Sequence, residues 1–104
     1  MKRKTGKLVV KVFYRDDCPR CHGIFDKFEK VKALLPPDIK IKKYNLNKRY
    51  VRAIARKLCI RRIPAIALYN SVYFVGIPDD DDLIKMINYV YKHPEHAFTD
   101  ELSK

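Results

Sequence analysis

Cys18 and Cys21 stand three positions apart in residues 15–23 (RDDCPRCHG), with Pro19 and Arg20 between them and His22 next. Three chemistries use such a pair. Two thiols at this spacing can form and break a reversible disulfide, supply half of a tetrahedral zinc site, or, with a histidine following, anchor a haem. The stretch alone permits all three. Cys59 is the third cysteine. An odd count excludes a fully paired secreted framework, and in a reducing compartment a CxxC pair is usually catalytic or metal-binding. Structural zinc wants a second closely spaced pair, and only His22 and Cys59 are on offer. Haem attachment goes with export, yet the apolar run after the basic start covers only residues 8–14 and is broken by Lys11. The redox pair is the favoured reading, with the disulfide itself carrying the electrons and neither a metal nor a prosthetic group expected.

The surrounding elements must position these thiols. Residues 8–14 (LVVKVFY) predict a buried strand. A helix follows, with Ile24, Phe25, Phe28, Val31, Leu34 and Leu35 on one stripe, stopped by Pro36-Pro37. Ile39, Ile41, Tyr44 and Leu46 alternate among lysines and predict a strand near a sheet edge. Residues 48–59 predict a second helix with Val51, Ile54, Ala55 and Leu58 on its apolar side and Cys59 as a buried small hydrophobe. Residues 65–69 and 72–75 predict two strands joined at Asn70-Ser71. Gly76-Ile77-Pro78 turns the chain, and Asp79 to Asp82 cap a third helix whose stripe is Leu83, Ile84, Ile87, Val90 and Tyr91. The order β-α-β-α-β-β-α is an α/β fold, a four-stranded mixed sheet flanked by helices, in which the helical crossovers of the first half require parallel strands. Residues 7–92 form the one expected domain, between a basic extension (1–6) and a tail (93–104).

In that frame Cys18 falls where the first strand gives way to the first helix. Pro19 suits the first helical position, which makes Cys18 the cap. The N–H groups of Arg20 and Cys21 can then point at the Cys18 sulfur, and the helix dipole and the Arg20 charge favour thiolate there. Asp16 and Asp17 act against it by like-charge repulsion. Cys21, one turn in, is less exposed and placed to attack a mixed disulfide held on Cys18. His22 is a surface residue that could tune Cys18.

The formal net charge is +11, and residues 39–78 hold no acid at all. Lys40, Lys42, Lys43, Lys48, Arg49, Arg52, Arg56, Lys57, Arg61 and Arg62 fall in that interval. Such a field attracts acidic protein, anionic surfaces or nucleic acid, and no nucleic-acid motif accompanies it. A basic-face binding module, with the CxxC holding zinc or vestigial, is the rival to an enzyme. Abundant Lys and Arg with no glutamine fits a thermophile. No stretch approaches a membrane span, so a cytoplasmic monomer is expected.

A strand, a CPRC sequence opening a helix (Cys18 to Cys21) and a later Ile63-Pro64 before the third strand together resemble the thioredoxin superfamily over residues 7–92. Residues 73–87 (YFVGIPDDDDLIKMI) are similar to the last strand and helix of glutaredoxins, where a glycine, here Gly76, and acidic residues precede the helix. The resemblance implies a protein disulfide oxidoreductase in which Cys18 attacks and Cys21 resolves. It also implies that Pro64 is cis and, with Ile63 and Gly76, binds the substrate. Protein disulfides and a reductase are the implied partners, in electron transport. Glutathione is left open, because Gly76-Ile77 stands where glutaredoxins carry two glycines. No tryptophan precedes Cys18, and residues 8–14 hold no acid, so the proton acceptor for Cys21 is open among His22, Asp16, Asp17 and water.

The arginine between the cysteines stabilises the reduced form. The reduction potential should therefore be less negative than the roughly −270 mV of thioredoxin. A redox titration checks this, and a value well below −270 mV would sink the thiolate argument.

Overall fold

The computed structural model describes residues 8–69 and 71–93. Seven elements follow one another: β1 (Val9–Tyr14), α1 (Pro19–Val31), β2 (Lys40–Asn45), α2 (Arg49–Lys57), β3 (Ala65–Leu68), β4 (Ser71–Val75) and α3 (Asp80–Lys92). They form a four-stranded mixed sheet in the order β2-β1-β3-β4. The expected extension and the tail beyond His93 lie outside the described residues, as does Asn70 of the predicted hairpin turn.

β1 is β-branched and aromatic because it is covered on both faces. Leu8, Val10 and Val12 pack with Ile24, Phe28 and Val31 of α1 and Leu83, Ile87 and Val90 of α3. Phe13 turns to the opposite face and meets Val51 and Ala55 of α2, with Leu46, Ala65 and Ala67. The lysine-rich β2 sits at the edge, as its composition predicts, with Lys40 to Lys43 exposed. The stripe of α1 is shorter than the periodicity suggests. The α-helix stops at Val31 and continues as a 3₁₀ turn over Lys32–Leu34, which rotates Leu34 out to 65% exposure while Leu35 stays buried.

The second crossover departs from the expected parallel arrangement. β1 and β2 are parallel, but β3 runs antiparallel to β1, with Phe13 opposite Ala65 and Val10 opposite Leu68. The reason is where the chain leaves and re-enters the sheet. Leu46 is held at the end of β1 by its N–H on the Tyr14 carbonyl (2.7 Å), and Ala65 enters beside Phe13 at that same end. α2, only about 14 Å long, does not return the chain to the other end. The residues just before β3 are thereby delivered to the end of the sheet from which α1 departs.

α3 is fastened to α1 by charge. Asp79 occupies the cap position, but its side chain makes no capping bond. Asp80 instead accepts from Lys27 Nζ (2.6 Å) and pairs with Lys30 Nζ (2.9 Å), both on α1. The hydrogen bonds from Lys27 and Lys30 hold the Asp80 carboxyl below its ordinary value of 3.8. A carboxylate depressed in the folded state contributes stability above the unfolded value and loses it as pH falls through the folded one. Asp80→Asn should therefore lower the melting temperature at pH 7, and the gap to the parent should close on acidification below pH 3.8. Thermal melts across that range check it; a gap independent of pH would show that the pair contributes nothing electrostatic.

Candidate functional site

The loop between β1 and α1 carries the cysteines to one end of the sheet. Cys18 has extended backbone (φ −109°, ψ 103°) and caps α1, with Pro19 at the first turn. Proline there loses no intrahelical bond and arrives with its φ already helical. The Cys21 N–H donates to Cys18 Sγ at 3.2 Å and shares the Cys18 carbonyl at 3.1 Å. Of the two amides expected on the sulfur, Cys21 provides the bond, an N–H aimed at a sulfur at a helix N-terminus, where negative charge is stabilised.

The two thiols differ in access. Cys18 is partly exposed, whereas Cys21 is fully buried. Burial pushes the Cys21 thiol up from 9.0 to about 11, helped by its side-chain contact with Cys18. Pro19, Arg20 and His22 lie on the exposed side, and His22 Nε2–H donates to the Asp16 carbonyl at 3.3 Å. Asn45 and Asn47, which no motif in the sequence marks, hold the loop. Asn45 Nδ2 donates to the Asp16 carboxylate (3.1 Å), and the Asp16 N–H donates to Asn47 Oδ1 (3.2 Å).

The Ile63-Pro64 bond is cis, as the resemblance implied, and Pro64 is buried. Its carbonyl accepts from the Gly76 N–H at 2.7 Å, so Gly76 and Pro64 meet although 12 positions apart. Gly76 has φ +90°, which glycine adopts without strain. The loop continues onto α1: a Cβ on Gly23 would lie 3.0 Å from Ile77 Cδ1, so the missing side chain lets the loop close on the helix. On the other flank, Arg15 and Ile63 line one pocket, and the Cys18 N–H donates to the Arg15 carbonyl at 3.3 Å. The cysteine loop, the Ile63-Pro64 bend and the Gly76 turn thus converge.

Cys59 is elsewhere, and the expectation that it is buried is wrong. Leu58 caps α2, Cys59 takes φ +60°, and its side chain is exposed. The Cys59 N–H returns to Arg56 and the Ile60 N–H to Ala55, a Schellman closure that swings the side chain off the helix face. The usual signal, a glycine, is missing. No group of three His, Cys, Asp or Glu side chains is gathered among the described residues, so the zinc set of Cys18, Cys21, His22 and Cys59 is not assembled. No described helix is long and apolar enough to cross a membrane.

No family model and no curated protein matches the sequence. Solved structures do match. A thioredoxin-like protein from Clostridium perfringens superposes with a TM-score of 0.71 at 19% identity, over 83% of this chain and 72% of that one. Thioredoxin-2 of the malaria parasite gives 0.66 at 23% identity, over 80% and 82% of the two chains. This is the thioredoxin fold. A mutant thioredoxin from Halobacterium salinarum gives 0.64 at 23% identity, over 79% of this chain and 73% of that one. In this thioredoxin fold the CPRC sequence opens α1 and the cis bond precedes β3.

With the Cys21 thiol held near 11, only roughly one part in a thousand is thiolate at pH 8. Iodoacetamide on the reduced protein at pH 8 should label Cys18 and Cys59 before Cys21, and Cys21 should follow on unfolding. Peptide mapping by mass reads the order; Cys21 labelled as fast as Cys59 would contradict its shielding.

Proposed function

We propose that the chain is a thiol–disulfide oxidoreductase of the thioredoxin and glutaredoxin kind, acting on protein disulfides. The observation that carries this is the asymmetric pair. A partly exposed sulfur receives a helix N-terminal amide, and a buried thiol sits one turn behind it.

Atoms and electrons balance in the exchange. The Cys18 thiolate attacks one sulfur of the substrate disulfide, forming a mixed disulfide and expelling the other sulfur as a thiolate that takes a proton. Cys21, on losing its proton, attacks Cys18 Sγ and releases the second substrate thiol. Two electrons pass to the substrate, and a Cys18–Cys21 disulfide remains. A dithiol reductase must return it to the reduced state. No prosthetic group takes part. The acceptor for the Cys21 proton stays open among His22, Asp16, Asp17 and water. Ile63, Pro64 and Gly76 would seat the extended substrate chain, a reading supported by the Gly76 N–H on the Pro64 carbonyl, which joins the bend and the turn into one unit. The glutaredoxin-like subtype rests on the Gly76 turn and the acidic start of α3, and a cytoplasmic monomer remains our reading of where and how it works.

Cys18→Ser should lower turnover of a protein disulfide by at least about 10³-fold. Cys21→Ser should still attack and should accumulate a mixed disulfide visible by mass. Oxidised protein should gain two alkylation labels on treatment with dithiothreitol, both mapped to Cys18 and Cys21. Cysteines that stay blocked until a chelator releases one zinc per chain would overturn the proposal.

A further inference from the structure

The basic interval of the sequence is not spread evenly once folded. Arg52, Arg56 and Arg61, from α2 and the segment after it, meet Arg15 of the cysteine loop around one pocket of about 300 Å³. Arg15 has an acid beside it, Asp17 at 3.7 Å on the exposed surface. Arg52 is braced by donating from one guanidinium nitrogen to the Leu46 and Asn47 carbonyls (2.9 and 3.1 Å). These are neutral acceptors, so its charge stays uncompensated. No described acid pairs with Arg56 or Arg61. Like charges gathered in a concave site raise the local potential and cost stability unless an anion enters.

The floor and the position say which anion. Leu46, Ala55, Ile60 and Ile63 supply an apolar lining, and no aromatic residue is among the pocket's walls. That suits carboxylate side chains with their methylene stems, and gives a nucleobase nothing to stack on. The volume admits a side chain or two, not a duplex. Ile63 immediately precedes the cis proline, and the Arg15 carbonyl holds the Cys18 N–H. A chain whose disulfide lies at Cys18 therefore has its neighbouring residues within reach of the guanidiniums. We infer that this pocket receives an acidic segment flanking the substrate disulfide, so that the protein selects acidic polypeptides. The inference rests on the exchange reading above and names its substrate class.

The test uses the pre-reduced full chain in single turnover, so that no other reductant enters. Two disulfide-bridged peptides are compared, one with three aspartates beside the cysteine and one with asparagines there. The acidic peptide should react about tenfold faster or more at low salt, and the advantage should shrink as salt rises. In the double variant Arg56→Gln/Arg61→Gln the ratio should fall towards one. In Lys85→Gln/Lys92→Gln, which removes as much charge from α3, the ratio should persist. Equal rates for the two peptides, or equal loss of the ratio in both double variants, would overturn the pocket assignment while leaving the exchange reading intact. Anisotropy of a labelled acidic peptide on Cys18→Ser separates the two claims: salt-sensitive binding without turnover by the parent would support the pocket and sink the exchange reading. A single-stranded oligonucleotide that displaces this peptide at lower concentration than unlabelled peptide does would overturn the acidic-polypeptide assignment.

Discussion

The double burial of β1 is the constraint on which the rest of the structure depends. It is hydrogen-bonded on both edges, to β2 in parallel and to β3 in antiparallel. Its side chains are spent in both directions, Val10 and Val12 against α1 and α3, Phe13 against α2. A strand fixed on four sides cannot shift register without moving apolar side chains to the wrong layer. Its last residue therefore has a defined place, and the loop that leaves it begins from a rigid point. The cysteines inherit their position from that rigidity.

Around this strand the segments that build the site come from distant parts of the chain, yet short contacts tie each to the next. Asn45 and Asn47 at the end of β2 hold the Asp16 turn. Gly76 holds Pro64 by one backbone bond, and Ile77 reaches α1 because Gly23 has no side chain. The Lys27–Asp80–Lys30 cluster joins α3 to α1. None of these contacts is large. Their value lies in being distributed, so that the helix carrying the thiols is braced in the loop before it, at Gly23 and again at Lys27 and Lys30.

The chemistry then follows from an inequality between two identical side chains. One thiol is at a helix cap with an amide directed at it, and the other is buried at about 11. The two sulfurs thereby differ in access within one helical turn. In the exchange we propose, the exposed sulfur meets the foreign disulfide and the shielded one makes the intramolecular attack.

Much of this was legible in the residues themselves. The apolar run of β1, the helical stripes of α1 and α3, the lysine-rich edge of β2 and the cap position of Cys18 depend on local periodicity and on the fixed φ of Pro19, and the sequence carries both. The misreadings have a common cause. Helical phase carried on through Cys59 would bury its side chain, but the backbone turns left-handed at that residue. Leu34 was lost to a 3₁₀ turn in the same way. The direction of β3 is not written in any local pattern, since a crossover returns to either end of a sheet according to how α2 packs on Phe13 and Leu46. Residue types and spacing determined which groups could do chemistry. Only the tertiary structure decided that Gly76 meets Pro64, that Ile77 reaches Gly23 and that four arginines line one pocket with Ile63, because contacts between residues far apart in the chain are set by packing of the layers, which no short stretch contains.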